Sequence, residues 1–426
     1  MIKKLFLDKE IISDILKKGG ITFLFRMIAM VLSFLTISFI TNFFGKENFG
    51  SYSLSLTVLQ MVVMVFAVGT PYAFVSFTGG FDSHEKAKGL LIKTTKIILI
   101  ISVFPMFFFL FGAQFLAQFL FSKPELTNYF KIISLSIPFM ILHELLCYYF
   151  ISIKKTLIYS LITFIFPNVL FLGFLAIIYF LKLPNYLILL CYTTSFFVSV
   201  LIGFLIVFSG KKSINPMVSS KEILKKSFPM MVSGIFLILL NWTDILMLGR
   251  LETASNIGIY NAAFKVGYLA LFFVVSMNVV VMPKISELYH KKDNQELKKV
   301  VNRATQIVIL LTVPTALILI LFSKSILGLF GSGFQAGSTT LILITLGALF
   351  NAMTGNVDQI LNMTNNQHVV KNIFFIGFIL NVLLNLYLIP KYGIEGAATS
   401  SLITNILVNS IFVVIIKKKL GFYTFI

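Results

Sequence analysis

Five ionisable side chains stand inside stretches otherwise apolar enough to cross a bilayer: Arg26, Glu144, Asp244, Lys265 and Asp358. A charge at the centre of a membrane helix costs at least about 2.5 kcal/mol on insertion scales. Such residues are kept for a buried partner or for a water-filled cavity. A helix rises about 1.5 Å per residue, so their depths can be read from the flanking loops. Arg26 follows Lys18 by eight residues and Glu144 precedes Lys154 by ten, which puts both roughly 12–15 Å above the inner boundary. Asp244 and Lys265 lie on consecutive spans, each about 10 Å below the outer boundary. Depth therefore allows two meetings, Arg26 with Glu144 and Asp244 with Lys265. One chemistry is a cavity in which Arg26 and Lys265 bind an anionic substrate. The other is a pair of ion bridges that lock helices together. Glu144, Asp244 and Asp358 fit either, as coupling groups or as ion-pair partners.

Neutral polar residues gather in the same helices. The tenth span carries Asn351, Thr354, Gly355, Asn356, Asp358, Gln359, Asn362 and Thr364, which is too many for helix-to-helix glue alone. The second and eighth spans add Ser53, Ser55, Thr57, Gln60, Asn261, Tyr268 and Asn278. Amides of this kind hydrogen-bond sugar hydroxyls. Asn356, Gln359, Asn261 and Gln60 join Arg26 and Lys265 as the candidate substrate-binding set. No catalytic residue is expected. His143-Glu144 opens like a zinc-protease motif, but Cys147 stands where the second histidine belongs. Cys147 and Cys191 read as small buried hydrophobes, and no metal site is expected. The glycosylation patterns at Asn241 and Asn362 fall within a span and at a cytoplasmic end, so neither should be used.

The elements that must position these groups are membrane helices. The 426 residues are 58% hydrophobic and only 12% charged, with mean hydropathy +0.95, unlike any soluble domain. Twelve stretches are long enough to span: 19–42, 50–77, 91–118, 127–152, 157–181, 184–208, 227–250, 257–282, 301–323, 337–362, 370–389 and 395–416. Most of the 35 Lys and Arg residues lie on alternate connections and at both ends. The other connections hold only Lys46, Lys123, Lys131, Lys182, Arg250, Lys324 and Lys391. Positive charge marks the cytoplasmic side, so both termini lie inside. The net charge of +19 thus reads as topology and attraction to an anionic leaflet, and its dispersal over short loops argues against nucleic acid. Residues 1–18 read as a basic amphipathic helix on the inner surface with no cleavable signal.

The fold class is an all-α transmembrane bundle of twelve helices in two six-helix lobes. Residues 1–209 form the N-terminal lobe, 210–226 a cytoplasmic linker rich in Lys, Ser and Asn, and 227–426 the C-terminal lobe. A short internal repeat agrees with this. Lys17-Lys18 recurs as Lys225-Lys226, and Gly50-Ser51-Tyr52 as Gly258-Ile259-Tyr260, both at an offset of 208 residues. Repeats of six helices share one orientation and are related by a pseudo-twofold axis along the membrane normal. Pro71, Pro105, Pro138, Pro167 and Pro314 fall mid-span, where each removes a backbone hydrogen bond and favours a kink.

This arrangement resembles the polysaccharide repeat-unit (O-antigen, Wzx-type) flippases of the multidrug/oligosaccharidyl-lipid/polysaccharide exporter superfamily over essentially the whole chain. The stretch Phe44-Gly45-Lys46-Glu47-Asn48-Phe49-Gly50-Ser51-Tyr52 is similar to that family's first helical turn motif. Asp244-Ile245-Leu246-Met247-Leu248-Gly249, then Ile257-Gly258-Ile259-Tyr260-Asn261-Ala262-Ala263-Phe264-Lys265, is similar to the second. Met282-Pro283 and Tyr392-Gly393-Ile394-Glu395-Gly396 match in order and spacing. The resemblance implies alternating access that moves undecaprenyl-diphosphate-linked oligosaccharide from the inner to the outer leaflet of the bacterial inner membrane. It places Arg26 and Lys265 at basic cavity positions and Asp244 at an acidic one; Glu144 and Asp358 match no family pattern. It implies no cofactor, with H⁺ or Na⁺ as the coupling ion. The partners it implies are the lipid-diphosphate-linked oligosaccharide, membrane lipids and other glycan-assembly membrane proteins.

Two other functions compete. An ion-coupled multidrug exporter of the same superfamily is one, although one exporter branch carries an acid in the first helix where this chain has Arg26. A membrane glycan polymerase or ligase is the other, and it would need an outer loop larger than any here.

Overall fold

The computed structural model describes residues 9–78, 83–209, 214 and 218–425; for residues 9–21, 72, 229–230, 232–234, 236–238, 241, 279–280 and 283 it describes the backbone alone. Lys211, Lys212, Pro216 and the start of the expected surface helix lie outside the described residues, as do the side chains of Asn241 and Pro283.

Every regular element among the described residues is a helix. Nine of these helices are long and apolar enough to cross a membrane. Two of the nine, Thr22–Phe66 and Gln367–Leu420, each hold two spans joined at one non-helical glycine. The joints are Gly45 (φ 84°, ψ 167°) and Gly393 (φ 56°, ψ −133°). With the further helix Ser220–Leu251 the spans number twelve, as the charge alternation requires. We label them α1 (22–44), α2 (46–66, resuming as Thr70–Thr78), α3 (His84–Leu120), α4 (Leu126–Ser152), α5 (Thr156–Phe180) and α6 (Leu187–Phe208). The second six are α7 (Ser220–Leu251), α8 (254–290), α9 (Asn294–Leu321), α10 (Ser338–Thr354, resuming as Val357–Met363), α11 (367–392) and α12 (394–420).

Three sequence expectations are refined. The connections after the first and eleventh spans shrink to single-residue corners. α2 breaks at residues 67–69, where Val68 and Gly69 both take positive φ, and Pro71 restarts it. α10 breaks at Gly355 (φ 78°). A Cβ on Gly355 would lie 2.4 Å from the Thr305 hydroxyl, so space as well as dihedral calls for glycine there.

The chain forms two compact units. One comprises residues 1–43 and 58–232, the other 44–57 and 233–426. α2 and α7 therefore each contribute to both units.

In the first unit, polar contacts inside the helices follow from backbone irregularity. A π-turn at Leu161–Ile165 precedes Pro167 in α5. The Ile162 carbonyl there meets the ring Nε2 of His143 at 3.1 Å and accepts from the Ser199 hydroxyl at 3.2 Å. A carbonyl released from its helix cannot turn to water in a membrane, so α4 and α6 supply the donors. Ser136 and Thr193 add a 2.6 Å hydroxyl contact between the same two helices. His143 is thus a structural group. α3 turns Phe104, Phe111 and Phe119 outward, with Phe111 79% exposed, as suits a surface solvated by lipid.

In the second unit the two repeat-related glycines meet. A Cβ on Gly50 would lie 1.7 Å from the carbonyl oxygen of Ala254, and one on Gly258 would lie 2.3 Å from that of Lys46. Each glycine thus packs on the carbonyl four residues before its counterpart. The contact is reciprocal, which is what an internal repeat predicts and a chance match does not. Elsewhere in this unit Leu297, Ile360, Leu361, Phe412 and Ile416 share a fully enclosed apolar core.

Candidate functional site

The second unit holds a partly open cavity of about 280 Å³ walled by α7, α8, α10, α11 and α12. The break in α10 is what builds its polar side. Helix Ser338–Thr354 stops at Gly355, and the chain restarts with Asn356, Asp358 and Gln359 on the cavity wall. Asp358 accepts a hydrogen bond from the Gln359 amide at 2.8 Å. α8 contributes Phe264 and Tyr268, whose rings lie 4.4 Å apart, together with Asn278. α12 contributes Ser401, Asn405 and Asn409, spaced four apart so that they share a face. Asn381 completes the wall from α11.

Beside the cavity, Asp244 of α7 is buried at 2% exposure. Tyr260 donates to one of its oxygens at 2.7 Å, Ser401 donates to that same oxygen, and Asn385 donates to the other at 2.8 Å. The Asn385 amide also reaches the side-chain oxygen of Asn381 at 2.9 Å. No ion pair joins Asp244 to any cation among the described residues. A buried carboxylate with neutral donors alone is costly unless it takes a proton or a cation. The amide oxygen of Asn385 is buried and unpartnered beside it. Ser401 and Asn381 belong both to this cluster and to the cavity wall.

The expected meetings do not form. Lys265 lies over the ring of Phe49, 5.9 Å from its centroid, instead of reaching Asp244. Arg26 lies over the ring of Phe164 at 5.7 Å, and no ion pair links it to Glu144. These distances fall within the range of cation–π attraction. Depth alone does not fix the helix face, and aromatic rings sit where the carboxylates were expected.

The sequence-selected residues thus divide. Asn356, Asp358 and Gln359 come together on the cavity wall. Asn261 is buried with its amide oxygen unpartnered, and neither it nor Lys265 lines the cavity. Arg26, Glu144 and Gln60 belong to the first unit, where Gln60 faces the Tyr192 hydroxyl. Residues not singled out from sequence are Asn381, Asn385, Ser401, Thr404, Asn405 and Asn409. Their signal was present: amides and hydroxyls spaced four apart within otherwise apolar helices.

Twelve membrane helices with a polar cavity beside a buried acid define a multi-pass membrane protein with the fold of the MOP superfamily transporters. The inward-facing conformation of a multidrug resistance MATE family transporter of that superfamily superposes with a TM-score of 0.79, covering 95% of this chain and 98% of the other at 13% identity. The lipid II flippase MurJ, in an inward closed conformation, gives a TM-score of 0.74 over 93% and 87% of the two chains at 19% identity. Residues 15–289 match the polysaccharide biosynthesis protein family and residues 229–387 match MatE, so the chain belongs to the polysaccharide biosynthesis protein family. A candidate O-antigen transporter of Shigella flexneri is 20% identical over 86% of this chain and 88% of its own length. A candidate low-salt glycan biosynthesis flippase of Haloferax volcanii is 26% identical over 38% of this chain, and the match covers 34% of that relative.

Proposed function

We propose that the protein is a flippase that moves undecaprenyl-diphosphate-linked oligosaccharide repeat units from the inner to the outer leaflet of a bacterial inner membrane. The lobes expected at 1–209 and 227–426, joined by the linker, alternate access to the two sides. The carrying observation is the arrangement in the second unit: an ion-binding type of cluster around Asp244 that shares Ser401 and Asn381 with a polar cavity inside the membrane. A cavity occupant that moves Ser401 must disturb the hydrogen bonds of Asp244. That linkage would couple a proton or Na⁺ to substrate. Family membership and the Shigella relative support the glycan reading.

In this reading Arg26 and Lys265 neutralise the diphosphate. Among the described residues neither pairs with a carboxylate, and cation–π contacts hold both in place. A hydrogen bond to a charged group contributes about 1.5–3 kcal/mol. Arg26→Ala and Lys265→Ala are therefore each expected to abolish glycan export at normal protein levels. Arg26→Lys should rescue in part, since the charge persists without the bidentate fork. The measurement is surface glycan from a deletion strain carrying each variant. Normal export by both alanine variants would remove the diphosphate role. The function itself is tested by deletion, which should leave the lipid-linked glycan on the inner leaflet. A normal outer-leaflet distribution would exclude it.

Orientation follows from the lysines. The loops near 86, 154, 215, 291 and 368 and both termini are placed in the cytoplasm. At the C-terminal end of α8, Glu287 lies between Lys284 at 3.0 Å and Lys291 at 2.6 Å, and the hydrogen bonds from Lys291 and Lys284 hold its carboxyl below the usual range. Single cysteines at positions 46 or 391 should react with an impermeant reagent on intact cells, and one at 291 should not. Cys147 and Cys191 are buried and leave the background low. Labelling at 291 from outside would overturn the topology.

A further inference from the structure

The cavity of the second unit has a property that separates it from a diphosphate site. Among its described lining residues Asp358 is the only formally charged one; no Lys, Arg or His is present. A diphosphate brought here would meet a carboxylate and find no cation, an arrangement that repels it. The wall does hold polar atoms that need a guest. The amide oxygen of Asn278 and the hydroxyl of Thr404 are both buried and without a hydrogen-bond partner. Buried polar groups are normally satisfied, so an acceptor and a hydroxyl left open in one cavity call for an occupant that both donates and accepts. The rings of Phe264 and Tyr268 line the same cavity. Hydroxyls in numbers, together with a C–H face that can rest on a ring, are the chemistry of a sugar. The volume of about 280 Å³ sits near the lower bound of small-molecule pockets, roughly 300 Å³.

We infer that this cavity is a saccharide subsite, distinct from the cations that would hold the diphosphate, and that it takes neutral or amino sugars and rejects acidic ones through Asp358. The inference rests on the flippase reading and deepens it by separating sugar recognition from headgroup recognition.

The test uses the full chain in nanodiscs, with N-acetylglucosamine, methyl glucoside and glucuronic acid at millimolar concentrations as sugar probes and farnesyl diphosphate as a headgroup probe. Saturation-transfer NMR reads sugar binding. A second readout is intrinsic fluorescence, because Trp242 is the one tryptophan of the chain and Leu240 of the same helix lines the cavity. The two neutral sugars should bind saturably and glucuronic acid should not. Asp358→Asn should narrow that difference. Thr404→Val is the decisive variant. It removes an unpartnered hydroxyl without changing shape, so thermal stability should hold or rise while sugar affinity falls at least about fivefold, the effect of one lost hydrogen bond. A purely structural Thr404 would leave sugar affinity unmoved. Absence of sugar binding, or unchanged binding by Thr404→Val, would overturn the subsite. If farnesyl diphosphate still binds in a manner dependent on Arg26 and Lys265, that failure leaves the flippase reading intact. Sugar binding with the expected variant pattern supports the subsite even if deletion leaves the outer-leaflet distribution of lipid-linked glycan normal, an outcome that would sink the flippase reading alone.

Discussion

Asp244→Ala is expected to abolish transport and to lower thermal stability, while Asp244→Asn is expected to abolish transport and leave stability nearly unchanged. Alanine removes the acceptor for Tyr260, Asn385 and Ser401 at once. Each buried donor left without an acceptor costs about 1–3 kcal/mol. Asparagine keeps the size and one acceptor oxygen. Its new amide can donate to Asn385 once that side chain turns its unpartnered oxygen inward. What asparagine cannot do is bind and release a proton or hold a cation. Comparing a melting curve with vesicle-based flipping at matched expression therefore separates packing from coupling. Wild-type transport by Asp244→Asn would eliminate Asp244 as the coupling group. The charge swap Asp244→Lys with Lys265→Asp is expected to stay inactive, because the two residues form no pair to restore.

Gly50→Val and Gly258→Val should each prevent recovery of a stable, monodisperse protein. The obstacle to a side chain is backbone in both cases: Cβ would lie 1.7 Å from the Ala254 oxygen in one and 2.3 Å from the Lys46 oxygen in the other. No rotamer change relieves such a contact, so two helices must separate. In a membrane that loss is severe, because helix association depends on close packing and not on escape from water. Overpacking of an ordinary core already costs about 1–3 kcal/mol. Gly112→Ala and Gly173→Ala are the controls, since nothing lies within 4 Å of a Cβ at either position. They should melt like the parent or slightly higher. Gly258→Val with parental stability would show that the glycine contact does not hold the helices.

What the sequence made legible, and what it did not, follows one physical division. Span number was readable because it depends on local apolar stretches. The concentration of amides in α10 was readable for the same reason, and Asn356, Asp358 and Gln359 do share a wall. The break at Gly355 that aims them was not, because the collision with Thr305 that favours glycine there comes from another helix. Pairing failed likewise. The loops assign Asp244 and Lys265 one depth, yet the choice between a lysine and the Tyr260–Asn385–Ser401 donors is made by rotation about helix axes. The Gly50 and Gly258 repeat gave the opposite lesson. Two short motifs, weak as strings, proved to be two halves of one contact.

The one-residue corners at Gly45 and Gly393 bear on what the cell's surroundings can grasp. On the proposed orientation both face outward, and each joins two membrane helices without a loop. A protease needs an extended stretch of chain to cleave, and an antibody or phage needs a surface to hold. These corners offer neither. Epitope tags placed there would interrupt continuous helix on both sides, so immunological handles belong at the cytoplasmic ends. At these two corners an outside reagent finds almost no free backbone to grip.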